Sequence, residues 1–194
     1  MQDRNLQNEQ ESLAIISSMI NQAKGNIGKN SKHYLLWGWL GVVCSVSQFI
    51  MLKQEVELHF VPWIILMPLG GVVAFFMAKR DSKQTQNIGY MDKVLGYLWG
   101  SFTFSVIIIM ANGFAIGWNI AYAMLILLVG LATYVSGSVI KFTPLKIGGW
   151  FAWALSAAAI YSNLEISVIC IALTMLGSYL IPGYILKARH GKKA

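Results

Sequence analysis

Charge is what this chain has least of. Only 12% of its 194 residues are Asp, Glu, Lys or Arg, against about 25% in an ordinary soluble domain. With 56% of the residues apolar, that deficit argues against a soluble fold and predicts a membrane protein. Cysteine is almost absent. Cys44 and Cys170 fall at different depths of the predicted spans, so they read as small apolar packing residues rather than a disulfide. No HExxH, GxSxG, Walker A or paired-cysteine motif occurs. Every Asp, Glu, Lys, Arg and His lies in a predicted loop, terminus or interfacial end. Intramembrane hydrolases and proton relays work through ionisable groups inside the bilayer, and their lack here argues against both.

What the chain does have is long uncharged runs, and a helix needs about 20 mostly apolar residues to cross the hydrocarbon core. The expected fold is an all-α polytopic membrane protein with six transmembrane helices, at about 34–52, 60–78, 94–112, 119–140, 147–163 and 166–186. The third and fourth share one uncharged run, Val94–Ile140, divided at ANGFAIGWN, where Gly and Asn favour reversal. The fifth and sixth are separated only by SNLE. Residues 34–186 form the bundle, 1–33 an amphipathic helix and basic linker, and 187–194 a basic tail.

The net charge of +7 is a topology signal. The charges sit in short clusters between apolar runs, which argues against nucleic acid as a partner. Arg4, Lys24, Lys29 and Lys32 precede the first span. Lys79, Arg80, Lys83 and Lys93 lie in the second loop, Lys141 and Lys146 in the fourth, and Lys187, Arg189, Lys192 and Lys193 in the tail. The alternate loops hold Lys53 alone. By the positive-inside rule both termini are cytoplasmic. Trp37, Trp39, Trp99, Trp150 and Trp153 near the inner ends, and Trp63 and Trp118 near the outer ends, read as an interfacial belt.

Ahead of the first span, ESLAIISSMINQAK places Leu13, Ile15, Ile16, Met19, Ile20 and Ala23 on one arc of a helical wheel, with Ser17, Ser18, Asn21 and Gln22 opposite. Asn8 and Glu11 resemble a capping box, and Gly25 suits a C-terminal cap. A cytoplasmic helix over 9–24 is expected, and a signal peptide is not, because the segment lacks a basic start and a long apolar core. Its polar face lacks the cations of a lipid-charge reader. The face Leu13, Ile16, Met19 and Ile20 therefore rests on the bilayer or the bundle, or docks a protein partner or a second copy.

ESLAIISSMI, YLLWGWL, MPLGG, YVSGSVIKFTPLKIGGWFAW and SYLIPGYILK together resemble an uncharacterised family of small multi-pass membrane proteins from Bacteroidetes-type bacteria. The resemblance spans essentially the whole chain. It implies a bacterial inner membrane and six spans, and implies no activity, cofactor or functional residue.

Candidate sites are few. Pro68, followed by Gly70 and Gly71, is a candidate helix break in the second span. Such breaks mark some transporter sites, although a kink held by packing is the commoner outcome. Pro182 and Gly183 read the same way in the sixth. Gln48, Asn112, Asn119 and Asn163 all fall toward the outer side, as a candidate polar vestibule or as bridges between helices. Glu55, Glu57, His59 and Glu165 share that side; a divalent metal is conceivable there, and a solvated loop is the favoured reading. Small pairs Gly41/Ser45, Gly96/Gly100, Gly113/Gly117 and Ala154/Ala158 recur at contact spacing, for the bundle itself or a dimer face.

The expected function is that of a non-catalytic inner-membrane component that binds a protein partner or itself, without metal or cofactor. The alternative is a channel or facilitator for a small neutral or apolar solute. A membrane-embedded enzyme ranks third.

Overall fold

The computed structural model describes residues 13, 17, 31–82 and 90–191, and all secondary structure among these is helical. The helices are α1 (Ser31–Lys53), α2 (Val61–Ser82), α3 (Tyr90–Ala111), a single turn α4 (Gly113–Ile116), α5 (Trp118–Val139), α6 (Thr143–Ile160), α7 (Leu164–Met175) and α8 (Ile181–Gly191). A π-helical turn, Leu176–Leu180, joins α7 to α8. The amphipathic helix expected over 9–24, with Ile16, Met19 and Ile20, lies outside the described residues except for Leu13 and Ser17. Both of these are helical, and Leu13 is exposed.

Five stretches among the described residues are long and apolar enough to cross a membrane: α1, α2, α3, α5 and the continuous run through α7, the π turn and α8. The predicted fifth span is present as α6, but α6 is not among them. It starts earlier than expected, so Thr143, Pro144 and Lys146 occupy its first turn, and it stops at Ile160, giving 18 residues. Beyond Leu145 its buried residues are small: Gly148, Gly149, Ala152, Ser156 and Ala159.

Small residues set how closely α6 approaches its neighbours. A β-carbon on Gly148 would sit 2.9 Å from Ser178 Cα and 3.0 Å from the Gly177 carbonyl oxygen. One on Gly149 would sit 2.9 Å from the Gly130 carbonyl oxygen of α5. The adjacent GG of KIGGW thus wedges α6 backbone-to-backbone between α5 and the π turn, the way small residues pack helices where lipid offers no hydrophobic drive. Side-chain hydroxyls tie the same surfaces: Ser156 donates to the Ala123 carbonyl at 2.8 Å and Ser178 to the Gly148 carbonyl at 2.8 Å.

Helix ends follow local chemistry. Lys141 has φ 53° and follows α5; Phe142 N–H donates to the Gly137 carbonyl and Lys141 N–H to that of Ser138. This is a Schellman motif with lysine where glycine is usual. Its hydrophobic partner is Phe142, buried against Ile140, Leu145 and Leu186. Glu55, φ 54°, closes α1 the same way through Glu55 N–H to Leu52 and Val56 N–H to Met51. The ANGFAIGWN reversal is built as Asn112, α4 and Gly117, whose φ of 85° suits glycine.

The prolines act differently. α2 continues as helix through Pro68, so the candidate break at Pro68, Gly70 and Gly71 is an unbroken helix. Pro68 can give no N–H to the Ile64 carbonyl, while Gly70 accommodates Leu40 of α1 and Gly71 faces open space. Pro182 instead follows the π turn. It has no N–H for the Ser178 carbonyl one α turn back, and the ladder widens just before it, with Ile181 N–H reaching the Leu176 carbonyl.

The main core joins Tyr122, Ala123 and Ile126 of α5, Ala152 and Ala159 of α6, and Val168, Cys170 and Ile171 of α7, with Phe49 and Leu52 of α1 against it. α2 packs chiefly on α1, and α3 chiefly on α5. Both present large apolar side chains outward: Ile64, Leu69, Phe75 and Phe76 on α2, Tyr97, Phe104 and Ile107 on α3.

Candidate functional site

Four polar side chains converge where the end of α1, the loop after it and the starts of α2 and α5 meet. Gln48 is the centre and is fully enclosed. Its Oε1 accepts from Trp63 Nε1 at 2.7 Å and from the Tyr122 hydroxyl at 3.1 Å. Its Nε2 donates to the Tyr122 oxygen at 2.8 Å and lies 3.1 Å from His59 Nδ1. An indole nitrogen only donates, so Trp63 orients the amide, and His59 then accepts at Nδ1 and carries its proton on Nε2. Every hydrogen-bonding position of the amide is used. The aromatic rings of Trp63 and Trp118 lie 6.4 Å from that of Tyr122, and Phe114 stands edge-on to Trp118 at 5.2 Å.

The local reasons are legible. α1 carries Gln48 on the inward face that also buries Gly41, Cys44 and Ser45. The Schellman turn at Glu55 folds the loop back, and Pro62 in the first turn of α2 places Trp63 against the network. Tyr122 sits in the second turn of α5.

The other candidate vestibule residues are used separately. Asn163 caps α7, its side-chain oxygen accepting from Ile166 N–H at 3.0 Å. Asn119, one turn before Tyr122, reaches the Ser162 carbonyl at 3.5 Å and so touches the turn that Asn163 ends. Asn112 donates to the Ile108 carbonyl of its own helix at 2.9 Å and is exposed. Asn119 therefore lies one turn from the Gln48–Tyr122 pair, whereas Asn112 stands apart. Glu165 pairs with Lys53, joining the start of α7 to the end of α1. Among the described residues, no group of three or more His, Cys, Asp and Glu is placed to hold a metal, and both cysteines are free thiols.

Among the described residues, two buried hydroxyls, Ser136 and Thr174, have no hydrogen-bond partner. Of the small-residue pairs, Gly41 packs on Met175 and Gly113 on Trp118, while Gly96, Gly100, Ala154 and Ala158 lie exposed, with nothing near the β-carbon positions of Gly96 and Gly100.

Gln48 is marked in the sequence as a deep polar residue, whereas its partner Tyr122 lies in an apolar run, AYAML. What the arrangement does chemically is to lock three helices and a loop together through one amide. It places no nucleophile beside a base and no carboxylate on His59 among these contacts.

No protein-family model matches the chain, and neither a curated protein nor a solved structure matches it.

Proposed function

We propose that this protein is a non-catalytic component of a bacterial inner membrane that acts by binding a protein partner or further copies of itself. In this reading the chain crosses the bilayer six times with both termini in the cytoplasm, α6 being the shortest crossing. Fourteen of the fifteen Lys and Arg residues then lie on the cytoplasmic side. Water is an unfavourable surrounding for the outward side chains of α2 and α3, each of which is worth about 1.5–3 kcal/mol when removed from it.

The observation that carries the reading is the outward face of α3. Gly96 and Gly100 stand one turn apart, exposed and with nothing packed on them. Within a membrane such a pair lets a second helix approach closely. In support, the buried side chains among the described residues include no Asp, Glu, Lys, Arg or His. The predicted amphipathic segment 9–24 supplies a second docking element.

The test is cross-linking and co-purification from native membranes. A Gly96→Leu/Gly100→Leu double variant should lose its partner or its self-association while remaining folded. Ile16→Glu should weaken the same complex more than Ser17→Glu, which lies about 100° round the wheel. A wild-type chain that stays alone in the membrane, with deletion of residues 1–24 changing nothing, would refute the reading.

The facilitator alternative draws on Ser136 and Thr174, whose unpartnered hydroxyls are the sort of groups that line a path for a neutral solute.

A further inference from the structure

Helices α1 and α2 run antiparallel, and Leu40 of α1 lies against Gly70 of α2. Along the same seam runs a groove of about 450 Å³, lined by Lys32, Leu35, Leu36, Trp39, Leu40 and Val43 of α1, with Leu66 and Met77 of α2. Its walls are apolar except at one end, where Lys32 stands exposed. Arg80, in the last turn of α2, is a second exposed cation just beyond Met77 at that end. Among the described residues, no carboxylate lines the groove.

From Lys32 to Val43 the groove follows roughly 16 Å of helix at 1.5 Å per residue. That is about half of the ~30 Å hydrocarbon core, the depth of one leaflet. A linear apolar slot of one leaflet's depth with a cation at its mouth matches a particular molecule. A protein helix would want small residues or paired polar groups along the slot, and this one offers Leu, Val, Met and Trp with polarity confined to its end.

We infer that the groove between α1 and α2 holds one acyl chain of an anionic phospholipid, with Lys32 engaging the headgroup phosphate and Arg80 reinforcing the charge. The inference rests on the membrane placement and is independent of any protein partner. Leu40 against Gly70 narrows the seam, and the chain lies along the outer side of that contact, between Trp39 and Met77. The lipid would fill the space that α2, packed chiefly on α1, leaves open.

The full-length protein in mixed vesicles of phosphatidylglycerol and phosphatidylcholine with matched chains, extracted and weighed intact by native mass spectrometry, tests this. The wild type should keep one phosphatidylglycerol under conditions that strip phosphatidylcholine. Lys32→Gln should lower that preference about fivefold, the effect of removing one lysine near an anionic surface. Val43→Trp, which fills the deep end of the groove without touching the cation, should reduce retention of both lipids. Equal retention of the two lipids by the wild type, or an unchanged preference in Lys32→Gln, overturns the groove assignment and leaves the membrane reading standing. Retention of neither lipid by the wild type overturns the assignment as well. A cross-link from Val43→Cys to a protein, in place of lipid, also overturns the assignment.

Discussion

Gln48 of α1 and Tyr122 of α5, 74 positions apart in the chain, exchange hydrogen bonds in both directions: the amide nitrogen donates to the phenol oxygen at 2.8 Å, and the phenol donates to the amide oxygen at 3.1 Å. Trp63 and His59 complete the amide from α2 and the loop. A buried amide with every position filled contributes modestly when complete and costs more when half-empty.

Tyr122→Phe should therefore destabilise the bundle by about 0.6–1.5 kcal/mol. Gln48→Leu combined with Tyr122→Phe should cost less than the two single changes added, because the second removes groups already orphaned by the first. Unfolding in mixed micelles, followed by tryptophan fluorescence, measures both. Strict additivity would mean that the pair is not coupled.

The double glycine of α6 makes the opposite kind of prediction, one of space. Gly148→Ala places a methyl 2.9 Å from the Ser178 backbone, and a helix must shift to admit it. The expected loss is about 1–3 kcal/mol, in the range of overpacking. Gly71→Ala, facing open space on α2, should be neutral or slightly stabilising, since alanine is the better helix former by about 1 kcal/mol. Thermal unfolding of the two variants side by side decides it.

Lys141 offers a backbone test. A left-handed conformation costs an L-residue roughly 1–2 kcal/mol, and glycine avoids that cost while losing part of the gain in chain entropy. Lys141→Gly should leave stability equal or raised by up to about 1 kcal/mol, whereas Lys141→Val, β-branched, should lower it. A Lys141→Val protein as stable as the parent would exclude the left-handed turn.

Ser136 and Thr174 distinguish structure from transport. A buried hydroxyl without a partner carries a desolvation penalty of about 1–3 kcal/mol. Thr174→Val and Ser136→Ala should therefore be neutral or stabilising in unfolding measurements. Proteoliposome flux of a neutral solute should be unaffected by either if the bundle only binds partners. Reduced flux at undiminished stability would favour the facilitator reading.

How much of this was legible in the sequence depends on the range of the physics involved. The scarcity of charge and the long apolar runs determined an all-helical chain with helices able to cross a membrane, because desolvating a backbone leaves few choices but helix. Local signals also carried: the Gly and Asn of ANGFAIGWN lie at the chain reversal, and the Ser and Asn of SNLE lie in the turn between α6 and α7. Pro68 and Pro182 looked alike in sequence and differ in the fold. The first sits inside a continuous helix beside Gly70, and the second follows a π turn whose serine bonds Gly148 across the interface.

Which polar residues would meet could not be read locally. Gln48 was visible as a deep polar side chain, but the hydroxyl that satisfies it arrives from a helix 74 positions away, and AYAML carries no mark of it. The same holds for the glycines. Gly148 and Gly100 are equally small, yet one is pressed against a backbone and the other faces outward. Spacing along one helix states which residues share a face. Only the packing of the other helices decides which face is covered, because that depends on contacts between segments far apart in the chain.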